Sequence, residues 1–382
     1  MLVLLLGLAF VVISLILFTQ NSQRTLAIGL LFIGLLFLGW KFFQDGKIGQ
    51  FLNKTSPPTS STSPSSQTSI RKGNLSDQNP FGVMLGNQVP DLTLRMKTAK
   101  DLGALYYRPL SIFVSTWNGS FPEADAAIAA GLKLILTVRN DGGAGTPTNP
   151  PKDLNAYKTV LGQIVDKYHP EILIIENEEN SSLFYTGSPS DFHQELKAGC
   201  EVAHARSAKC ANGGLVSSLV ALLTANDIET HGQGKAAANA YLAKTLPAKI
   251  YTQYQKLGTT TAPEIAVQVN KGLELLRGYR QDGADFVNFH WYAPDATKLA
   301  QAVAYLEKTT GLKAITNEWG QQQNENPEQI TADMSELVRL NIPYAVEFSI
   351  DVSAGEQARA LVNSDGSLRA NGKAFKDFIA AK

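Results

Sequence analysis

Two short acidic segments hold the side chains of this sequence best suited to breaking a covalent bond. They are Glu176-Asn-Glu-Glu-Asn180 and Thr316-Asn-Glu-Trp-Gly320, and each includes or follows an apolar run. Two carboxyl groups that face each other can cleave a glycosidic bond, because one protonates the leaving oxygen while the other attacks or stabilises the sugar carbon. Taken singly, these glutamates could equally be solvated loop residues or helix caps. The two segments therefore predict this chemistry only jointly.

The two segments can meet if both end strands of one parallel sheet, and the sequence predicts such a sheet. From Asn79 onwards, apolar runs typical of buried strands alternate with amphipathic runs typical of helices. Eight strands are predicted, over 81–85, 104–108, 132–138, 171–175, 213–217, 286–290, 314–316 and 344–350. Eight strand–helix units over about 300 residues predict an α/β fold, a (β/α)8 TIM barrel, which collects the carboxyl ends of its strands at one rim.

A doubly wound open sheet is the main alternative to the barrel. Its dinucleotide-binding version carries Gly-x-Gly-x-x-Gly after the first strand, and this sequence does not. Helices are predicted over 92–102, 124–130, 154–168, 192–208, 299–309, 330–340 and 373–381, with further helical stretches across 236–280. The segment between Val220 and Gly272 is expected to form a lid or side wall over the cleft.

The strand endings resemble those of the large clan of retaining (β/α)8 glycoside hydrolases, which includes cellulases, mannanases and β-xylosidases. The resemblance covers roughly residues 79–382. Ile174-Ile-Glu-Asn-Glu178 is similar to the fourth-strand ending of the clan, and Ile315-Thr-Asn-Glu-Trp-Gly320 to its seventh-strand motif. Asn288-Phe-His-Trp-Tyr292 is similar to the sixth-strand motif, and Leu102-Gly-Ala-Leu-Tyr-Tyr-Arg108 ends the second strand with the expected arginine.

The resemblance implies a role for each matching residue. Glu178 would be the general acid and then the general base, and Glu318 the nucleophile that forms a covalent glycosyl-enzyme. The residues around them would bind substrate or hold the carboxylates: Asn177 at the sugar 2-hydroxyl, Tyr292 and Arg108 at the Glu318 carboxylate, and His290 along the sugar site. Asn140 and the rings of Trp117, Trp291 and Trp319 are further candidates for sugar contact, although each tryptophan could equally be structural.

Two departures from the clan leave the substrate open. The eighth strand reads Tyr344-Ala-Val-Glu-Phe-Ser-Ile350, so only Phe348 or Tyr344 could replace the usual tryptophan. The third strand ends in Arg139-Asn140 where many members carry a histidine. The expected activity is hydrolysis of a β-linked poly- or oligosaccharide by a retaining mechanism. The alternatives are a barrel that binds glycan without cleaving it and a structural scaffold.

The first 78 residues predict a membrane anchor and a spacer. Leu2–Phe18 and Leu26–Trp40 carry no charge, which predicts a transmembrane hairpin within 1–46, although a cleaved signal peptide and buried core helices are alternatives. Residues 47–78 form a linker rich in Ser, Thr and Pro, followed by the barrel over 79–382. The lysines after the second helix favour a cytoplasmic barrel, whereas the stalk-like linker favours an extracytoplasmic one, which is the expectation here.

Composition excludes several other classes of protein. Lys plus Arg and Asp plus Glu both number 34, so the net charge is zero, which argues against a nucleic-acid partner. No cofactor or metal ion is expected, because no Cys/His cluster has ligand spacing and His193, His204 and His231 have no further ligand residue at such a spacing in the sequence. The only cysteines, Cys200 and Cys210, are expected to be two buried thiols, with a disulfide as the alternative.

Overall fold

The computed structural model of the protein describes residues 79–143, 145–321, 325–351 and 359–381. The predicted transmembrane hairpin and the linker lie outside these residues. Within the described ranges, no helix combines the length and apolar character needed to cross a bilayer.

Nine parallel strands form the centre of the structure. They are β1 (Phe81–Leu85), β2 (Tyr106–Tyr107), β3 (Ile112–Phe113), β4 (Lys133–Arg139), β5 (Ile172–Ile175), β6 (Lys209–Asn212), β7 (Phe286–Trp291), β8 (Lys313–Trp319) and β9 (Ala345–Ser349). β3 pairs only with the end of β4. The other eight form a closed ring, because β1 pairs with both β2 and β9, and β2 pairs with β4. The predicted (β/α)8 barrel is therefore confirmed.

Helices surround this barrel, and local sequence sets many of their ends. They are α1 (Leu92–Asp101), α2 (Pro122–Ala129), α3 (Leu154–Tyr168), α4 (Pro189–His204), α5 (Ser217–Thr230), α6 (Gly234–Thr245), α7 (Ala248–Leu257), α8 (Pro263–Gly278), α9 (Leu299–Thr310), α10 (Pro327–Arg339) and α11 (Ala370–Ala380). Asp153 caps the first turn of α3, and Ser188 with Asp191 forms a capping box on α4. Gly258 and Gly311 end α7 and α9 in the left-handed conformation.

The apolar residues divide into two cores, as the alternation of side chains along a strand requires. On β5, Ile172 and Ile174 belong to a small cluster with Ile135, Ala211, Ile315 and Val346, one residue or more from each of several strands. Leu173 and Ile175 belong to the larger cluster that includes the buried faces of the helices. The first cluster fills the barrel and the second joins the barrel to its helices.

The predicted fifth strand was displaced by four residues. The strand is Lys209–Asn212, whereas Gly213 to Val216 form a connection and Ser217 begins α5, a helix the sequence patterns did not predict. Gly214 has a φ of +99°, which ends the extended run after Asn212. Four helices, α5 to α8, fill residues 217–278. Pro247 and Ile250 from this insertion line a cavity together with Glu178, which agrees with the expected side wall.

The expectation of two free thiols was wrong. Cys200 on α4 and Cys210 on β6 form a disulfide with a Cα–Cα distance of 5.2 Å, and both residues are buried. The ten-residue separation spans the end of α4 and a tight turn back into the barrel. The chain turns back directly after α4 and enters β6, so the last turns of the helix lie beside the start of the strand. This places the two cysteines side by side.

Replacing both cysteines with alanine is expected to lower the free energy of unfolding by about 3 kcal/mol, because the disulfide restricts the unfolded chain. Urea unfolding of the wild-type protein and of the double variant measures the difference. A reductant should bring the wild-type midpoint down to that of the variant and leave the variant unchanged. Equal midpoints under oxidising conditions would contradict the stabilising role.

Candidate active site

The two predicted catalytic glutamates lie together at the carboxyl-end rim of the barrel. Glu178 follows β5, and Glu318 lies near the end of β8. One carboxylate oxygen of each and one ring nitrogen of His290 all lie within 4.8 Å of one another. Both carboxylate side chains keep a small exposed fraction, 13% and 12%, although their surroundings are buried. The two carboxyl groups are therefore near enough to act on the same bond of a substrate.

Arg108 and Tyr292 hold the Glu318 carboxylate from both sides. Arg108 Nη1 lies 2.6 Å from Oε2, and the Tyr292 hydroxyl donates to Oε1 at 2.6 Å. The same guanidinium donates from Nη2 to Asn177 Oδ1 at 2.8 Å and from Nε to Thr137 Oγ1 at 3.1 Å. Among the described residues, none accepts a hydrogen bond from Asn177 Nδ2, so that amide group is left to donate to a ligand.

These contacts keep Glu318 ionised. Burial by itself raises the pKa of the Glu318 carboxyl. The positive charges of His290 and Arg108, with hydrogen bonds from Tyr292 and Arg108, outweigh burial and lower this pKa to about 2. A carboxylate that stays charged throughout the working pH range is suited to be a nucleophile.

His290 links the two carboxyl groups. Its Nδ1 lies 2.9 Å from Glu178 Oε1 and 3.6 Å from Glu318 Oε1, while its Nε2 lies 3.1 Å from Asn317 Oδ1. Burial lowers the pKa of His290, but the neighbouring Glu318 and Glu178 raise it more, so the net shift is upward. The ring is fully buried and therefore holds one fixed orientation.

The hydrogen-bond network also assigns the position of the His290 proton. Asn317 Oδ1 already accepts from Asn288 Nδ2 at 2.8 Å, and Asn288 Oδ1 accepts from the Asn317 backbone N–H at 3.0 Å. His290 Nε2 must therefore be the donor to Asn317. Its Nδ1 faces Glu178, so these two residues share a proton: either Glu178 donates to the neutral ring, or the charged ring donates to the carboxylate.

Backbone geometry places the Glu178 side chain. Glu176 and Glu178 have φ values of +65° and +47°, a conformation that non-glycine residues rarely adopt. The Glu176 carboxylate holds this turn by accepting from the Asn140 backbone N–H at 2.7 Å and from Thr148 Oγ1 at 2.6 Å. At Gly214, a Cβ atom would lie 2.4 Å from His290 Nε2, so only glycine leaves room for the histidine ring.

A cavity of about 360 Å³ opens beside these groups. It is lined by Glu178, Val216, Ser217, Ser218, Pro247, Ile250, Tyr292 and Arg359. A larger cavity of about 430 Å³ lies among Pro80, Tyr106, Ile342 and Tyr344, and neither catalytic glutamate lines it. The chemistry therefore favours the smaller cavity as the substrate site.

Several residues predicted to bind sugar lie elsewhere. The rings of Trp291 and Trp319 are 2% and 1% exposed and pack between the barrel and its helices, so the prediction that they stack on a sugar was wrong. Side chains along a strand alternate between the barrel interior and the helix layer, and both tryptophans point to the helix layer. The sequence alone did not determine which face each one takes. Trp117 is half-buried against the same core. The Asn140 side chain donates to the Asn149 carbonyl at 2.8 Å.

Phe348 takes the place where a tryptophan was expected on the eighth barrel strand. Its ring lies 6.3 Å from that of Tyr292 at an interplanar angle of 82°. Tyr344, the other candidate, bonds to Glu171 and lines the 430 Å³ cavity instead. The sequence reasoning gave no role to Asn288, Asn317, Thr137 or Arg359. Asn288 and Asn317 had a signal, since they lie within the sixth- and seventh-strand motifs, whereas Thr137 and Arg359 had none.

Glu178, His290 and Glu318 also have the spacing of metal ligands. The sequence had no ligand pattern because the three residues come from three different strand endings. However, Arg108 already lies 2.6 Å from Glu318, so a metal ion would meet a fixed positive charge beside its carboxylate ligand. The donor set fits an ion poorly, and no step of the chemistry is assigned to one.

One protein-family model matches part of the chain, a part that includes Glu318 but not Glu178. Residues 221–375 match the family described as "Glycosyl hydrolase catalytic core". No curated protein matches the sequence of the chain.

Solved structures with partial structural similarity to this chain have low sequence identity to it. A GH128 (subgroup I) endo-β-1,3-glucanase from Amycolatopsis mediterranei, in complex with laminarihexaose, is 11% identical, with a TM-score of 0.45 over 78% of this chain and 98% of that one. A GH128 (subgroup II) endo-β-1,3-glucanase from Pseudomonas viridiflava is 14% identical, with a TM-score of 0.46 over 78% and 96%. A GH5-4 broad specificity endoglucanase from Clostridium longisporum is 12% identical, with a TM-score of 0.49 over 82% and 99%.

The lowered pKa of Glu318 predicts a loss of stability in acid. Because the folded pKa is about 2 and the unfolded value is about 4.3, the stabilisation is present above pH 4.3 and disappears as the pH falls towards 2. The loss is on the order of 3 kcal/mol. Urea unfolding between pH 6 and pH 2.5 measures this loss, and the difference in the free energy of unfolding between wild type and Glu318→Gln should narrow as the pH falls.

Glu264→Gln, at the exposed start of α8, is the control. Its free energy of unfolding should change with pH as that of the wild type does. A difference between wild type and Glu318→Gln that stays constant would contradict the assignment.

Proposed function

We propose that this protein, a (β/α)8 glycoside hydrolase, cleaves the O-glycosidic bonds of a β-linked poly- or oligosaccharide by double displacement with retention of configuration. The observation that carries the proposal is that one carboxylate oxygen of Glu178 and one of Glu318 lie within 4.8 Å of each other. Retaining enzymes place their two carboxyl groups about 5–5.5 Å apart, whereas inverting enzymes separate them by about 6.5–9.5 Å.

In the first step, Glu318 attacks the anomeric carbon and Glu178 protonates the departing oxygen. Arg108 and Tyr292 hold both oxygens of Glu318, which orients the carboxylate and keeps it ionised. The proton that Glu178 gives up is the one it shares with His290 Nδ1, 2.9 Å away. The bond from carbon to the leaving oxygen breaks as the covalent bond to Glu318 forms.

In the second step, water replaces the leaving group. Glu178, now a carboxylate, removes a proton from the water as it attacks the same carbon, and the bond to Glu318 breaks. Asn177 Nδ2 supports both steps by donating to the sugar 2-hydroxyl, since Arg108 holds the amide oxygen of Asn177 at 2.8 Å.

β-Glucans are the first substrates to assay, because the solved structures of similar fold include enzymes named as β-1,3-glucanases and an endoglucanase. Phe348, beside Tyr292, offers an aromatic ring at the position where a tryptophan was expected.

We further propose that the barrel works outside the cytoplasm, attached to a membrane by its N-terminal segment. The two uncharged apolar runs within residues 1–46 and the linker over 47–78 motivate this placement. The disulfide between Cys200 and Cys210 supports it, since such bonds persist in oxidising compartments. Fractionation of cells that produce the full chain, followed by protease treatment of intact cells, tests both the attachment and the side of the membrane.

Glu178→Gln and Glu318→Gln are each expected to lower kcat by at least about 10³-fold, because each removes one of the two groups that share the reaction. Hydrolysis of β-glucans measured by release of reducing ends provides the test. Glu171→Gln is the matched control. Glu171 directly precedes β5, whereas Glu178 follows it, so the two glutamates lie at opposite ends of one strand. Undiminished hydrolysis by either catalytic variant would refute the assignment, and binding without turnover by the parent would indicate a non-catalytic glycan receptor.

The stereochemistry separates the two mechanisms and the two roles. NMR of the first product should show the β-anomer, and an α-anomer would contradict retention. Azide should rescue Glu318→Ala to give an α-glycosyl azide, because it attacks from the face that the nucleophile occupied. With Glu178→Ala, azide should give a β-glycosyl azide, because it then resolves the covalent intermediate.

A further inference from the structure

Arg359 is a buried cation on the wall of the catalytic cavity. The residue is 8% exposed and lines the cavity together with Glu178 and Tyr292. Its Nε donates to the Ile350 carbonyl at 2.8 Å, and its guanidinium lies 5.0 Å from the centre of the Phe348 ring. These two contacts fix the plane of the guanidinium beside the sugar site.

The outer nitrogens of this guanidinium have no protein partner among the described residues. The hydrogen bond from Nε to the Ile350 carbonyl is the only one that the Arg359 side chain makes with the described residues. No carboxylate among these residues lies within 4.0 Å of the guanidinium. Asp351, which lies nearby in sequence, forms an ion pair with Arg369 at 2.8 Å instead. Glu347 lies near enough for the charge of Arg359 to lower its pKa, but burial raises that pKa by more. The net pKa of Glu347 is well above the ordinary value, which favours the neutral form of its carboxyl group.

The same cavity receives the beginning of a long helix. Val216, Ser217 and Ser218 line it, and α5 runs from Ser217 to Thr230. The first amides of a helix have no partner within the helix and carry the positive end of its dipole. Ser217 Oγ accepts from the Tyr292 backbone N–H at 3.1 Å, which holds this end of the helix against the catalytic residues. A cation and a helix N-terminus therefore face one cavity.

We propose that Arg359 and the start of α5 bind an anionic substituent, a carboxylate or a sulfate, on the sugar next to the bond that is cleaved. The inference rests on the proposed function and narrows its substrate class to acidic β-linked glycans. The two free guanidinium nitrogens present the parallel donors that suit a carboxylate or sulfate group.

The charge balance of the cavity supports this choice. Among the described residues, Arg108 pairs with Glu318 at 2.6 Å and Glu178 contacts His290 at 2.9 Å, so Arg359 is the charged residue at this cavity with no opposite charge within 4.0 Å. The hydroxyls of a neutral sugar could accept hydrogen bonds from Arg359, but they would displace its remaining water without supplying an opposite charge, which carries a penalty for a buried cation. An anionic substituent supplies both the charge and the acceptors.

Matched substrates test the proposal. A linear β-1,3-glucan and a β-1,4-glucan are each compared with the same polymer after oxidation of its C6 hydroxyls to carboxylates, and with a sulfated form. We expect kcat/KM to be at least about 10-fold higher on an anionic form than on its neutral parent, and the two anionic arms show which group is preferred. Equal or better cleavage of the neutral polymer would overturn this inference and leave the proposed hydrolase function standing.

Binding separates the inference from the hydrolase function. Calorimetry with Glu178→Gln measures the affinity for neutral and acidic oligosaccharides without turnover. Selective binding of the acidic forms, if the parent cleaves none of them, would support the anion site and contradict hydrolysis. Absence of selectivity in both binding and turnover would overturn the anion site.

Variants of Arg359 connect the selectivity to this residue. Arg359→Gln should lower the ratio of kcat/KM for the acidic and neutral substrates by about 10- to 100-fold, chiefly through KM, and Arg359→Lys should lose less. Arg339→Gln is the matched control, because Arg339 is exposed on α10 and pairs with Glu336. Thermal unfolding of each variant establishes that it is folded. An unchanged ratio in a folded Arg359→Gln protein would overturn the assignment.

Discussion

The buried ion pair between Arg108 and Glu318 is the constraint on which the rest of this site depends. One guanidinium contacts Glu318 on β8, Asn177 after β5 and Thr137 on β4, while it is itself positioned by β2. The two side chains are only 3% and 12% exposed, so their separation from water must be balanced by these bonds. Removal of one partner from such a pair typically costs 3–5 kcal/mol. The same contacts that keep Glu318 ionised therefore also hold four strand endings in place.

The chemical difference between the two glutamates comes from their unequal neighbours. Glu318 receives a guanidinium and a phenol, whereas Glu178 contacts the ring of His290 on a turn with positive φ. An acid needs a proton available for transfer, and a nucleophile needs a stable charge. His290 serves the pair because Asn317 and Asn288 fix its Nε2 proton and leave Nδ1 to share a proton with Glu178.

The sequence predicted the barrel and the central pair because both depend on periodic patterns and strand endings. The bounds of α3, 154–168, agree with the structure residue for residue. The residues that escaped prediction depend on contacts between distant segments. Trp291 and Trp319 were misplaced because a change of one position turns a strand side chain from the rim to the helix layer.

Two further differences have the same origin. The fifth strand was shifted because Gly213-Gly214 and the apolar residues after them resemble a strand, while the four-residue β6 carries a weak signal. The disulfide depended on how tightly the chain turns after α4, which the spacing of Cys200 and Cys210 did not specify. Arg359 had no local motif, and only its position beside Phe348 and the cavity gives it significance.

The closure of the barrel has a consequence for how the protein is made. Phe81 on β1 pairs with Ala345 on β9 and also packs against Phe375 and Phe378 of α11. During translation, β1 must wait for a partner that emerges 264 positions later, and until then the sheet keeps unpaired edges that invite association with other chains. A ribosome-bound chain that stops before β9 therefore lacks the ring of strands on which the site is assembled, so the rim that carries Glu178 and Glu318 forms only after β9 has been made.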